Sequence, residues 1–273
     1  MKQSIGEELL VGQVIVVTSG KGGVGKTAAV ANLGCALALL EQKTVLVDLD
    51  LGLCKLDLIT GISDRSITHL GDVLSGRDSL EEALVPHPHY LNLSILPAPQ
   101  QETHQSFSSE QMRQLYEQLR SRFDYVLVDC PAGAEQGFYH AICGADQALL
   151  VTLCETASVR DGDKIAQLLI DQGIGQIQLI INRYQESLVK QEVLLSIEEV
   201  MEVLKLPLIG IVPEDVNVIK AGNQGQPIFV IPNAPAALCY QNIARRLTGQ
   251  EVALARFSKD SLLTRLKKAW KER

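Results

Sequence analysis

The sequence contains no apolar run approaching the roughly 18 residues that a membrane-spanning helix requires, so a helical span is not expected. Its first 13 residues also lack a long apolar core and carry Glu7 and Glu8, so they do not read as a secretory signal. The six cysteines, Cys35, Cys54, Cys130, Cys143, Cys154 and Cys239, form no CxxC pair. That spacing argues against a zinc or dithiol motif, and free thiols in a reducing cytosol are the expectation. Excess basic charge is missing too. Lys and Arg number 25 against 32 Asp and Glu, a net charge of −7, so the surface as a whole does not attract nucleic acid or anionic lipid. Any such contact needs a local basic cluster. No internal repeat or low-complexity segment interrupts the chain. What is present is 273 residues, 46% hydrophobic and 21% charged, enough to bury a sizeable globular core.

Short apolar runs rich in β-branched residues recur at 14–17, 44–47, 91–96, 125–128, 148–153, 177–181, 206–212 and 227–231. Most are continuous rather than alternating, as strands covered on both faces should be. Helical patterns separate many of them, most clearly at 26–40, 109–121, 158–172, 197–204 and 236–247. Strand and helix in turn predict a parallel α/β sheet. After Gly249 the strand pattern stops. The expected organisation is a domain over 1–249, a linker over 250–257 and a separate element over 258–273.

The strongest motif is Gly20-Lys21-Gly22-Gly23-Val24-Gly25-Lys26-Thr27, between the apolar run VIVVTS and a helical pattern. That is the setting of a phosphate loop. Glycines let successive backbone N–H groups turn toward phosphate oxygens, and the following helix directs its positive end at the same point. Lys26 can bridge β- and γ-phosphates, and the Thr27 hydroxyl can bind Mg²⁺. Two further apolar runs end in acids. TVLVDLD carries Asp48 and Asp50 at a strand's carboxyl end, where ligands of open α/β sheets sit. YVLVD ends in Asp129, and an apolar run ending in Asp beside a phosphate loop is the Mg²⁺-binding Walker B pattern.

A second lysine, Lys21, stands near the start of the loop, and KGGVGKT resembles the deviant Walker A loop of the MinD/ParA superfamily. The resemblance covers about residues 13 to 270. It implies a Rossmann-like P-loop NTPase fold, a mostly parallel sheet with helices on both faces. It also implies that Lys21 reaches the nucleotide of a partner subunit, so that ATP drives homodimerisation. Ala28 stands where a second Thr is common in the family. LGLCKLDLITG, after Asp50, is similar to the division-site branch of the superfamily, with Cys54 and Lys55 in place of the usual Arg and Asn. By that match Asp50 positions the attacking water and Asp48 supports the Mg²⁺ shell. DCPAG, at 129–133, resembles the second switch, in which Gly133 moves toward the γ-phosphate. Asn182 and Arg183 at a strand end match the adenine contact, and Pro213 and Glu214 match a loop bordering the base. Ser158 to Asp163 resemble the start of a partner-facing helix, with Ser158 a plausible N-cap. The nitrogenase iron protein, a member of the superfamily, shares one iron–sulfur cluster across its dimer. Cys130 has no second cysteine at cluster spacing, which argues against that alternative here.

The carboxyl-terminal residues form a basic amphipathic pattern. At 100° per residue, Leu262, Leu263, Leu266, Ala269 and Trp270 fall within roughly 120°, and Arg265, Lys267, Lys268 and Lys271 fill the remainder. Residues 256–273 hold seven basic and two acidic side chains, a local charge of +5. Leu and Trp on one face and Lys on the other fit a helix lying in an anionic membrane surface. The function implied is an ATPase, with ATP and Mg²⁺ as cofactors, peripheral on the inner face of the cell membrane. It would recruit a MinC-like division inhibitor, answer to a MinE-like or other topological factor, and bind no nucleic acid. The rival readings are a flagellar-number regulator of the same family and a ParA-like DNA-partition ATPase.

Overall fold

The computed structural model describes residues 11–49, 55–63, 68–99 and 107–254. Eight strands form one sheet in the order β3-β4-β2-β5-β1-β6-β7-β8. They are β1 (Gln13–Thr18), β2 (Thr44–Asp48), β3 (Val85–Pro86), β4 (Leu93–Leu96), β5 (Tyr125–Asp129), β6 (Gln147–Thr152), β7 (Gln176–Tyr184) and β8 (Leu208–Pro213). All pairings are parallel except β3 with β4. Strand order reverses beside β1, which puts a crevice at the carboxyl edge of the sheet there, where open α/β folds bind ligands.

Alternation along the strands divides the core. Val14 and Val16 of β1 face one layer, and Ile15 and Val17 face the other. The first layer is covered by α5 (Ser109–Arg120), α6 (Gln136–Ile142), α7 (Thr156–Asp171) and α9 (Ile197–Leu204). The second holds α1 (Lys26–Leu39) and α11 (Pro235–Leu247). Apolar nearly all round, α1 has the pattern of a helix buried on every side, and it is buried from Ala29 to Ala38. By contrast, α5 presents Met112, Leu115, Tyr116 and Leu119 inward. It opens with a capping box in which Ser108 and Gln111 satisfy each other's backbone N–H groups.

The expected strands and helices are present with one exception. Residues 227–231 do not form a strand, and Ile228–Val230 make a single 3-10 turn. Pro227 has no N–H to give to a ladder, and the Ile228 N–H donates to Asn32 Oδ1 at 2.8 Å. The segment is thereby fastened across α1 rather than added to the sheet. Among the described residues, six further short helices lie where no helix was expected: α2 (Lys55–Thr60), α3 (Leu70–Leu74), α4 (Leu80–Ala83), α6, α8 (Glu186–Lys190) and α10 (Val216–Asn223). Among the described residues no helix is long and apolar enough to cross a membrane. The carboxyl-terminal pattern, with Leu262, Leu263, Leu266, Lys267, Lys268 and Trp270, lies outside the described residues. Its approach is fixed as far as Ala253, because the Arg246 guanidinium donates to the carbonyls of Ile209, Val252 and Ala253.

Candidate functional site

The turn between β1 and α1 forms the floor of a cavity of about 600 Å³. Gly22, Gly23, Gly25, Lys26, Thr27 and Ala28 line it, facing Leu49, Lys55, Pro131, Ala132 and Glu135. Nothing lies within 4 Å of where a side chain on Gly22 or Gly23 would begin, so the loop backbone there borders open space. Lys26 is the first residue of α1 and is only 8% exposed. Among the described residues it has no ion-pair partner. A buried ammonium without a counter-charge is costly unless an anion joins it. Glycine cradle, buried lysine and helix N-terminus together suit a polyphosphate, and the open space accommodates one.

Two acids complete this edge. Asp48 and Asp129 end neighbouring strands, are directly opposite in register, and are each 1% exposed. A pair of buried carboxylates on adjacent strands is a place where a divalent cation offsets like-charge repulsion. Thr27, whose side chain carries a hydroxyl, lines the phosphate cavity. The donor set is all oxygen, as Mg²⁺ prefers. Asp50 lies outside the described residues, as does Cys54. Residues 130–133 are tied to the end of β1 and the start of the loop, since Cys130 N–H donates to Val17 O at 3.1 Å and Gly133 N–H to Ser19 O at 3.3 Å.

A second cavity, about 220 Å³, opens from the first. Gly23, Gly25 and Ala28 belong to both linings. Its walls include Asn182, Arg183, Pro213, Glu214 and Tyr240. Tyr240 is fully buried, and burial raises its phenol pKa, so it serves as a neutral wall. Arg183 Nε donates to Glu214 Oε2 at 2.6 Å and clasps the ends of β7 and β8 together. Arg183 also sits at φ 52°, a left-handed conformation uncommon outside glycine. Asn182 Nδ2 donates to Val24 O at 2.8 Å. One amide hydrogen is therefore committed to the phosphate loop, while the residue also lines this cavity. Gly25 answers this contact: at φ +94°, a side chain there would begin 2.4 Å from Asn182 Nδ2.

Other expected loop residues sit elsewhere. Val24 is wholly buried in the α1 layer. Gly20 lies against α7, where a side chain would begin 2.2 Å from the Asp161 carbonyl carbon. Lys21 does not line the phosphate cavity; its Nζ is 3.3 Å from Glu155 Oε2. Ser158 is not the N-cap of α7. The helix begins at Thr156, and buried Ser158 Oγ instead accepts from Leu153 N–H at 3.1 Å and shares a proton with Thr152 Oγ1 at 3.0 Å. Its short side chain is used to join α7 to β6.

Sequence reasoning missed Asn32 and Tyr240, and placed Asp215 in the base-side loop without its capping role. Asn32 bridges Ala28 O and Ile228 N–H. Asp215 caps α10 through Asn217 N–H at 2.9 Å and accepts from Ala236 N–H at 3.2 Å, holding the base-side loop on α11. A polar residue inside the apolar run of α1 was the available signal for Asn32. Tyr240 had none beyond its helix context.

A family model for the CobQ/CobB/MinD/ParA nucleotide-binding domain matches residues 15–228. The chain is 43% identical over 259 residues to the septum site-determining protein MinD of Synechocystis, covering 94% of this chain and 97% of that one. It is 44% identical over 245 residues to the Bacillus subtilis MinD, covering 89% and 91%. Among solved structures, the MinC:MinD cell division complex of Aquifex aeolicus superposes with a TM-score of 0.85 at 40% identity, over 90% of this chain and all of that one. The Pyrococcus horikoshii MinD complexed with Mg-ADP gives 0.79 at 31% identity, over 86% and 95%. With its glycine cradle, its paired acids and this similarity along nearly its whole length, the chain belongs to the MinD/ParA family of nucleotide-binding ATPases, within the group of septum site-determining MinD proteins.

Proposed function

We propose that this protein is an ATP-switched homodimer that binds an anionic membrane surface and recruits a MinC-like inhibitor to set the position of the division septum. The observation that carries the reading is Lys26, a buried cation without an ion-pair partner among the described residues, at the base of a glycine cradle on the same edge of the sheet as the Asp48–Asp129 carboxylate pair. In this reading the N–H groups of the loop and Lys26 hold the β- and γ-phosphates. Thr27, with Asp48 and Asp129, holds Mg²⁺, which neutralises charge on the phosphates. Asn182 offers Oδ1 and an amide hydrogen to the adenine edge, between the Pro213–Glu214 loop and Arg183. Asp50 orients the attacking water, and hydrolysis yields ADP and phosphate. Lys21 reaches the partner's nucleotide, so two copies close only around a triphosphate.

Dimerisation then controls the membrane. One copy of the 258–273 helix, with Leu262, Leu263, Leu266 and Trp270 inserted and Lys267 and Lys268 on the headgroups, binds marginally. Each buried Leu contributes at most about 1.5–3 kcal/mol, part of which is lost to ordering the segment. Two copies in a dimer gain by effective concentration. A MinE-like or other topological factor would stimulate hydrolysis and release the protein. Co-sedimentation with anionic liposomes under Mg·ATP and under Mg·ADP tests this. The intact protein should pellet with ATP only, and removal of 258–273 should abolish pelleting while ATP binding survives. Pelleting by the truncated protein would defeat the anchor assignment. Salt-sensitive DNA binding would favour a partition role instead.

A further inference from the structure

Lys21 is anchored by its backbone and free only in its side chain. Ser19 Oγ donates to Lys21 O at 2.8 Å, and Gly20 is packed against the Asp161 backbone. The side chain turns out of the protein's own phosphate cavity and ends 3.3 Å from Glu155. Glu155 is the N-cap residue of α7, with extended backbone at φ −89° and ψ 135°, yet its carboxylate makes no capping bond to the first turn. An N-cap acid ordinarily turns back to the exposed N–H groups of its own helix. Here it is directed at Lys21 instead. Both side chains are about half exposed, 48% and 44%, so the pair is weak enough to break and near enough to compete.

From these contacts we propose that Glu155 is a positioning residue. It holds Lys21 against its own subunit in the monomer and must release it before Lys21 can reach a partner's triphosphate. This rests on the dimer reading above. Glu155 thus sets the ATP and protein concentrations at which the dimer closes, by offering each lysine a competing anion at home. Two such pairs break for every dimer formed. An exposed ion pair shifts an equilibrium by roughly threefold, so two shift the dimer constant by about tenfold. Release also frees the Glu155 carboxylate to cap α7, and α7 touches the loop again at Gly20. The first turns of α7 would therefore register whether Lys21 is at home.

The test uses the full chain with Asp50→Ala, to slow hydrolysis, alone and combined with Glu155→Gln. Dimer dissociation constants are measured by sedimentation equilibrium with saturating Mg·ATP, at low and at high salt. Glu155→Gln should tighten the dimer about tenfold at low salt, and the difference between the two proteins should shrink at high salt as the ion pair is screened. Titration of the monomer with a fluorescent ATP analogue should give the same affinity for both proteins, which separates release of Lys21 from any change in the nucleotide site. An unchanged or weaker dimer with Glu155→Gln overturns the proposal and leaves the dimer reading standing. Absence of a dimer in both proteins removes the dimer reading and this proposal with it.

Discussion

Lys21 and Lys26 are five positions apart on one short loop, yet their environments differ completely. Lys26 is buried at the base of the phosphate cavity, while Lys21 is half exposed and pairs with a carboxylate outside it. The two lysines therefore have different work, and each should fail differently when removed. Asn182 joins this loop to the base cavity through Val24 O. Asn182→Ala removes that bond and, in the proposed function, a contact for the base. A lost hydrogen bond of about 1–1.5 kcal/mol corresponds to about tenfold weaker ATP binding, with the fold retained. Titration with a fluorescent ATP analogue and a far-ultraviolet circular dichroism spectrum measure both; unchanged affinity would remove Asn182 from the site. At this scale the phosphate loop was legible because its eight residues are contiguous. The partners of its individual residues were not. Gly20 against Asp161, Lys21 against Glu155 and Val24 against Asn182 join positions more than a hundred residues apart, and no local pattern reports them.

Among elements, the long apolar strands and the longer helices were legible from period and length. β1, β2, β5, β6 and β7 are covered on both faces and read as continuous apolar runs. The short helices α2, α3, α4 and α8 span too few residues for a helical period to show. Residues 227–231 had a strand's composition but not its partner, because Asn32 captures the Ile228 N–H. The helix α1 carries the phosphate loop, and its seat on β2 is set by Gly34. A side chain there would begin 2.4 Å from Leu46 Cδ2, and Leu46 is fully buried. Gly34→Val should therefore overpack the layer and cost about 1–3 kcal/mol. Thermal denaturation should show Tm lower by about 3–10 °C. An unchanged Tm would mean that α1 can shift on the sheet, and the cradle geometry would then be less firmly held than described.

For the molecule as a whole, charge and position are separated. The chain is net −7, while residues 256–273 carry +5, so the excess of positive charge is confined to one end. The nucleotide cavities lie at the carboxyl edge of the sheet, whereas Arg246 fastens residues 252 and 253 near the start of β8, at the opposite edge. In the proposed function, pairing of subunits connects triphosphate to tail, and Lys21 is the group that makes pairing sense the γ-phosphate. The most direct measurement is the mass in solution, by light scattering after size exclusion, of Asp50→Ala and of Asp50→Ala with Lys21→Ala, each with saturating Mg·ATP and with Mg·ADP. The account predicts a dimer only for Asp50→Ala with ATP, and a monomer in the other three cases although both proteins still bind nucleotide. A monomer throughout, or a dimer that persists without Lys21, would contradict it.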